Sequence, residues 1–239
     1  MDQHQLLFPG SEHAARTTGD PVELRDDLRY IVIEGVIGAG KTTLARLVAQ
    51  KFKARLVLEE FHENPFLERF YEDRNRWAFQ TQLSFLAHRF RQQNTLMRPD
   101  LFHSVVVSDY SFDKDRIFAH LNLSGDELQL YETMYGLMQP RVPVPDLVVY
   151  LQASTSRLMQ NIKLRGRSFE VTMDPDYINS LNEAYNYFYF RYTDSPLLII
   201  NADKLDFVKN ENELDEIVHQ IATSTHPGTT YFNPISRAS

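Results

Sequence analysis

The chain has 239 residues, 43% of them hydrophobic and 24% charged, which suits one large domain, or two small ones, with a substantial core. A formal net charge of -7 argues against a surface that grips a nucleic acid backbone, so no DNA or RNA partner is expected. With no cysteine, a disulfide framework and a thiolate metal site are both excluded, and the eight histidines lack H-x-x-H and H-E-x-x-H spacing. No basic-then-apolar segment resembles a signal peptide and no apolar run nears the ~20 residues that span a bilayer; a cytoplasmic protein without a membrane partner is expected.

Residues 1–28 mix polar residues, Gly and Pro with the short patch Leu6-Leu7-Phe8, and read as a tail or a surface-docked arm. The first strand, Tyr30 to Glu34, runs into Gly35-x4-Gly40-Lys41-Thr42, the spacing of a phosphate-binding loop with a strand before it and a helix after it. Glycines let backbone N–H groups converge on phosphate oxygens, and the helix N-terminus adds a favourable dipole. The candidate triphosphate cradle is therefore Gly35, Gly38, Ala39, Gly40, Lys41, Thr42 and Thr43. In it Lys41 reaches the β- and γ-phosphates and the Thr42 hydroxyl holds Mg²⁺. Leu44, Leu47, Val48 and Phe52 give the following helix one buried face.

A second strand, Arg55 to Leu58, ends in Glu59-Glu60, and a long helical region runs from Asn64-Pro65-Phe66-Leu67 to about Met97. Phe79, Leu83, Leu86 and Phe90 form its apolar stripe; Ala78, Gln82, Phe85 and Arg89 form a mixed stripe beside it, suited to lining a pocket. The third strand, Ser104 to Ser108, is followed by Asp109, a candidate Mg²⁺ carboxylate or helix cap. Helices follow through Arg116 to His120 and from Ser124, where Glu127 completes a capping box. A strand at Leu147 to Leu151, a helix at Ser154 to Leu164, a basic Arg165-Gly166-Arg167 loop, an aromatic-rich helix at Pro175 to Tyr192, a strand at Leu197 to Ile200 and a helix at Glu211 to Ala222 complete the pattern.

Strands alternating with helices predict an α/β fold: a five-stranded parallel sheet with helices on both faces, one domain over 29–224, and a tail at 225–239. Ligands of such sheets bind beyond the carboxyl ends of the strands. Gly35 to Thr42, Glu59 or Glu60, Asp109 and the Asp203-Lys204-Leu205-Asp206-Phe207 run all fall there. A carboxylate at 59 or 60 can take the proton of an attacking hydroxyl. Two arginines flanking a glycine, Arg165 and Arg167, suit a short lid that closes on a transferring phosphoryl group. The Asp203 run departs from the guanine-reading N-K-x-D pattern at its first position, and no D-x-x-G follows the third strand, which sets a GTPase aside.

Over residues 30 to 208 the motifs resemble the deoxynucleoside kinase family: Glu34-Gly35-x-Ile37-Gly38-Ala39-Gly40-Lys41-Thr42-Thr43; Glu59 with Asn64-Pro65-Phe66-Leu67 and Phe70-Tyr71; Arg76-Trp77 with Gln82 and Arg89; Asp109-x-Ser111 with Asp115-Arg116; Arg165-Gly166-Arg167-x-x-Glu170; and Asp206-Phe207. The resemblance implies a P-loop kinase fold, ATP as donor with Mg²⁺ at Thr42 and Asp109, and a homodimer. It implies a deoxynucleoside acceptor phosphorylated on its 5′-hydroxyl, with deoxyadenosine, deoxyguanosine or deoxycytidine favoured over thymidine. It makes Glu59 the activating carboxylate, in preference to Glu60, with Lys41, Arg165 and Arg167 as its catalytic partners. Tyr71 and Glu170 then hold the sugar 3′-hydroxyl, Gln82 pairs with the base edge, Arg89 with Asp115 discriminates against thymine, and Asp206 and Phe207 lie at the adenine.

In one place the chain departs from the family. Tyr110 stands where an arginine is usual after the third strand, one that would contact phosphate and orient the glutamate; either a lid residue such as Lys163 or Arg165 compensates, or the acceptor geometry differs, or activity is weak. The alternatives are a monophosphate kinase of the thymidylate kinase type and a weakly catalytic kinase-fold interaction subunit.

Overall fold

The computed structural model describes residues 24–96, 102–167, 170, 173–224 and 227–234. Six strands form one parallel sheet: β1 (Tyr30–Gly35), β2 (Arg55–Val57), β3 (Val106–Ser108), β4 (Leu147–Gln152), β5 (Leu197–Asn201) and β6 (Thr229–Phe232). Their order is β2-β3-β1-β4-β5-β6, with every pairing parallel. β1 and β4 are mostly apolar and buried on both faces, as a central parallel strand must be.

The sheet has six strands where five were expected, and the sixth lies in the segment read as a tail. Thr229-Thr230-Tyr231-Phe232 is short, and its exposure alternates residue by residue, as at a sheet edge. Only Phe232 of the four packs against the core, so the pattern was too brief to stand out. The arm expected at residues 1–28 lies mostly outside the described residues. From Leu24 onward the chain is placed, with Arg25 Nη1 donating to the Ser224 carbonyl at 2.6 Å.

Among the described residues eight α-helices connect the strands: α1 (Lys41–Lys51), α2 (Leu67–Glu72), α3 (Arg74–Leu96), α4 (Asp113–Asn122), α5 (Gly125–Met138), α6 (Thr155–Arg165), α7 (Pro175–Phe190) and α8 (Glu211–Thr223). The long helical region breaks in two at Asp73, which is non-helical and caps α3 by accepting from the Arg76 N–H at 3.2 Å. The capping box at Ser124 and Glu127 does not form, because Ser124 makes no side-chain cap bond. Gly125 enters α5 with a left-handed φ of +54°, which changes the angle at which the chain joins the helix. Three other starts carry side-chain caps, at Ser154, Asp174 and Asn210.

All six strands point the same way, so their carboxyl ends share one edge. The chain steps from β1 outward to β2, back to β3, then across β1 to β4, and this change of direction opens a crevice at the end of β1. The loop from Gly35, the Glu59 segment after β2, and Asp109 after β3 all emerge into it.

Candidate active site

The glycine-rich loop is wedged between α6 and the segment after β5. Gly38 has φ +87°, and a Cβ there would sit 2.6 Å from the Leu158 carbonyl oxygen, so no other residue fits. Gly40 has φ +95° and lies against the Phe207 ring, 3.3 Å from where a Cβ would be. Asn161 of α6 donates to the Gly38 carbonyl at 2.8 Å and fixes the loop from below. Lys41 Nζ donates to the Val36 carbonyl at 3.0 Å. Burial, and then the charge of Lys114, push the Lys41 ammonium down to about 8. Thr43 faces solvent in the first turn of α1.

A single carboxylate ties the three segments together. Asp109 accepts from Thr42 Oγ1 at 2.5 Å with one oxygen and from the Glu59 backbone N–H at 2.8 Å with the other. Glu34, fully buried at the end of β1, accepts from the N–H groups of Gly35 (3.1 Å) and Ser111 (2.6 Å). Burial raises its pKa, against the pull of Lys114 and Lys41. A hydroxyl beside a carboxylate suits Mg²⁺, which takes one or two protein oxygens and completes its shell with water and phosphate. No cluster of three or more His, Cys, Asp or Glu side chains is placed to hold a metal among the described residues.

Glu59 is enclosed by cations while Glu60 is exposed. Arg89 donates to Glu59 Oε1 through Nε (3.2 Å) and Nη2, and Lys114 Nζ donates to Oε2. Burial pushes this carboxyl up, but Lys114 and Arg89 more than reverse that, and it stays well below the usual carboxylate range. Arg89 also pairs with Asp115, whose other oxygen accepts from the Tyr131 hydroxyl at 2.9 Å. Burial lifts Asp115 to about 6 in spite of Arg89. Along the same stripe of α3, Gln82 is buried with its Oε1 left without a partner, the state of an amide whose acceptor awaits a ligand.

Glu170, only 4% exposed, receives Arg165 through Nε at 3.0 Å and Nη2 at 2.6 Å, and Arg167 Nη1 at 3.4 Å. Arg167 also lies 4.2 Å over the Phe61 ring. The two arginines expected to form a lid thus both bond the residue expected at the sugar. The Tyr71 hydroxyl lies in the field of that same carboxylate, and burial together with Tyr177 and Glu170 raises its pKa. Phe207 is buried against the loop, and Asp206 next to it accepts from the Lys209 N–H at 3.3 Å.

The expected substitutes for the family arginine are elsewhere. Lys163 is exposed, and the bonds of Arg165 go to Glu170. Tyr110 is fully buried and points into the fold, its hydroxyl donating to Gln92 Oε1 at 2.5 Å while Gln92 Nε2 bonds the Leu58 carbonyl at 2.9 Å. The second cation on Glu59 is Lys114, which the sequence reading passed over, as it did Asn161. A signal existed for Lys114: a lysine in the first turn of a helix opposes the helix dipole.

A family model described as deoxynucleoside kinase matches residues 31–226. The chain belongs to the deoxynucleoside kinase family. This kinase is 34% identical over 197 residues to a deoxyguanosine kinase of Bacillus subtilis, covering 80% of this chain and 95% of that protein. It is 33% identical to a deoxyadenosine kinase of Lactobacillus acidophilus, covering 81% and 95%. Among solved structures it resembles the deoxyadenosine kinase from M. mycoides with products dCMP and a flexible dCDP bound (TM-score 0.71, 27% identity, 80% of this chain and 98% of that one). The kinase is accordingly a phosphotransferase with an α/β fold and a nucleotide as donor.

Proposed function

We propose that the kinase transfers the γ-phosphoryl group of ATP to the 5′-hydroxyl of deoxyadenosine, deoxyguanosine or deoxycytidine, ahead of thymidine, and that it works as a cytoplasmic homodimer. The observation that carries the acceptor half is Glu59, a carboxylate kept ionised at the mouth of the phosphate loop by Arg89 and Lys114. A carboxylate in that place accepts from an uncharged sugar hydroxyl, whereas an acceptor that already carries phosphate has no hydroxyl there to align, so a monophosphate acceptor is disfavoured.

Glu59 with so low a pKa is a weak base. Its work is to align the hydroxyl and to take the proton late, which suits a phosphoryl transfer with a loose transition state. The loop N–H groups and Lys41 hold the β- and γ-phosphates. Arg165 and Arg167 leave Glu170 to meet the transferring group, freeing that carboxylate to accept from the sugar 3′-hydroxyl opposite Tyr71. Thr42 and Asp109 would hold Mg²⁺, which supplies positive charge to the phosphate oxygens. Gln82 offers its unpaired Oε1 to an exocyclic amine of the base. Arg89, fixed by Asp115, donates to a ring nitrogen or carbonyl.

The test is an acceptor panel with Mg-ATP: the four deoxynucleosides and their 5′-monophosphates, with sedimentation for the oligomer. Turnover of deoxyadenosine, deoxyguanosine or deoxycytidine to the monophosphate is expected. Preferential turnover of a monophosphate would overturn the reading.

A further inference from the structure

Between β3 and α4, one short segment carries both a departure and its remedy. Tyr110 turns inward to Gln92, so the residue directly after Asp109 presents no charge to the crevice. Four residues on, Lys114 is 6% exposed, with its ammonium on Glu59 Oε2. Its backbone is pinned as well: the Lys114 N–H donates to Ser111 Oγ at 3.1 Å, and the Ser111 N–H is held by Glu34. Burying an ammonium and placing it at a helix N-terminus are both unfavourable, and flanking Asp113 and Asp115 fit that position far better. Neither helix propensity nor core packing accounts for a lysine there; the carboxylate it touches does.

Building on the function proposed above, the geometry points to Lys114 as a positioning residue for phosphoryl transfer. It holds the second oxygen of Glu59 from α4 while Arg89 holds the first from α3, and so supplies from one helical turn later the cation absent at 110. With both oxygens fixed by cations on different helices, the carboxylate has one orientation left, with its remaining lone pairs towards the crevice. Arg89 by itself grips Oε1 and leaves the group free to turn about that contact. Because Lys114 acts through Glu59, its contribution should disappear when Glu59 no longer carries charge.

That expectation is tested by steady-state kinetics on the full-length kinase with Mg-ATP and its best deoxynucleoside. Lys114→Met and Lys114→Gln should each lower kcat by about 30- to 100-fold, with the nucleoside KM changed less than about threefold. Lys114→Arg should recover most of kcat. In a Glu59→Gln background, Lys114→Met should cost less than about twofold more, since paired residues acting as a unit are non-additive. ADP affinity and circular dichroism, unchanged in each variant, certify the fold; should Lys114→Met not fold, the glutamine variant and its double mutant carry the test. A full-sized additional loss in the Glu59→Gln background, or wild-type kcat in folded Lys114→Met and Lys114→Gln, would overturn the inference while leaving the kinase reading intact. No turnover of any deoxynucleoside by the wild-type protein would overturn both.

Discussion

An ion pair that is out of water is strong only when both partners are satisfied, and Glu59 holds two cations, Arg89 on one oxygen and Lys114 on the other. Removing its charge but keeping its shape, as in Glu59→Gln, should lower kcat about 10²- to 10⁴-fold, the range of a positioned proton acceptor. Glu60→Gln, out in solvent, should stay within about twofold of wild type in the same coupled assay. The reverse result would move the reacting carboxylate by one residue. On the proposed function, base discrimination falls to the next link of the same network, Arg89 with Asp115. Arg89→Met with Asp115→Ala should shift preference towards thymidine, and unchanged ratios of kcat/KM among the bases would mean this pair does not read them. Asp115 also gives that discrimination a pH dependence. Its folded-state pKa is raised, to about 6, so it carries charge above that pH and loses it below. It is faced by Arg89 on α3, Tyr131 on α5 and the Glu59 carboxylate. As pH falls from about 7.5 to about 5, the anchor on Arg89 weakens and the preference over thymidine should narrow. Asp115→Asn should show a reduced preference with no such slope.

Among the elements, those with a strong period were legible and those fixed by partners were not. β1 and β4 are legible as buried strands from their apolar runs; α3 is legible as a helix, although the region breaks at Asp73 and, of its apolar stripe, Leu86 is buried while Phe79, Leu83 and Phe90 pack half-buried against the core. Ala78, Gln82 and Arg89 of the mixed stripe on α3 do lie buried on one face, as their spacing suggests. What failed depended on a neighbour. β6 is four residues long and exists because β5 offers an edge, the Ser124 box is undone by the left-handed glycine after it, and Lys114 acquires meaning only when α4 packs beside the end of β2. Asn161 is similar: on α6 it reads as one polar residue among several, yet it supports the Gly38 carbonyl under the phosphate loop. Removing that donor leaves a part-buried acceptor unpaired, a cost of about 1 kcal/mol or more. Asn161→Ala is expected to raise the KM for ATP about three- to tenfold with the nucleoside KM unchanged. An equal rise in both would place the effect in the whole fold and not in the loop.

At the scale of the molecule, the crevice joins segments from nearly the whole chain length, from Glu34 to Phe207. Four carboxylates (Glu34, Glu59, Asp109 and Asp115) and three cations (Lys41, Arg89 and Lys114) are gathered there, with the two lid arginines held a short way off on Glu170. Such a cluster is costly without ligand, since each buried charge has surrendered its water. A ligand that binds only the folded state repays part of that cost by mass action, about 2.7 kcal/mol at a hundred times its Kd. For a chain of this size each kcal/mol is worth about 2–4 °C, so a preferred deoxynucleoside at that concentration should raise Tm by about 5–10 °C. Thymidine at the same concentration, far below a hundred times its weaker Kd, should raise it much less. Scanning calorimetry with each deoxynucleoside, with ADP, and with both together checks this. A shift from ADP without one from any deoxynucleoside would mean that the buried pair of Arg89 and Asp115 and the open acceptor of Gln82 serve the interior of the fold and not a base.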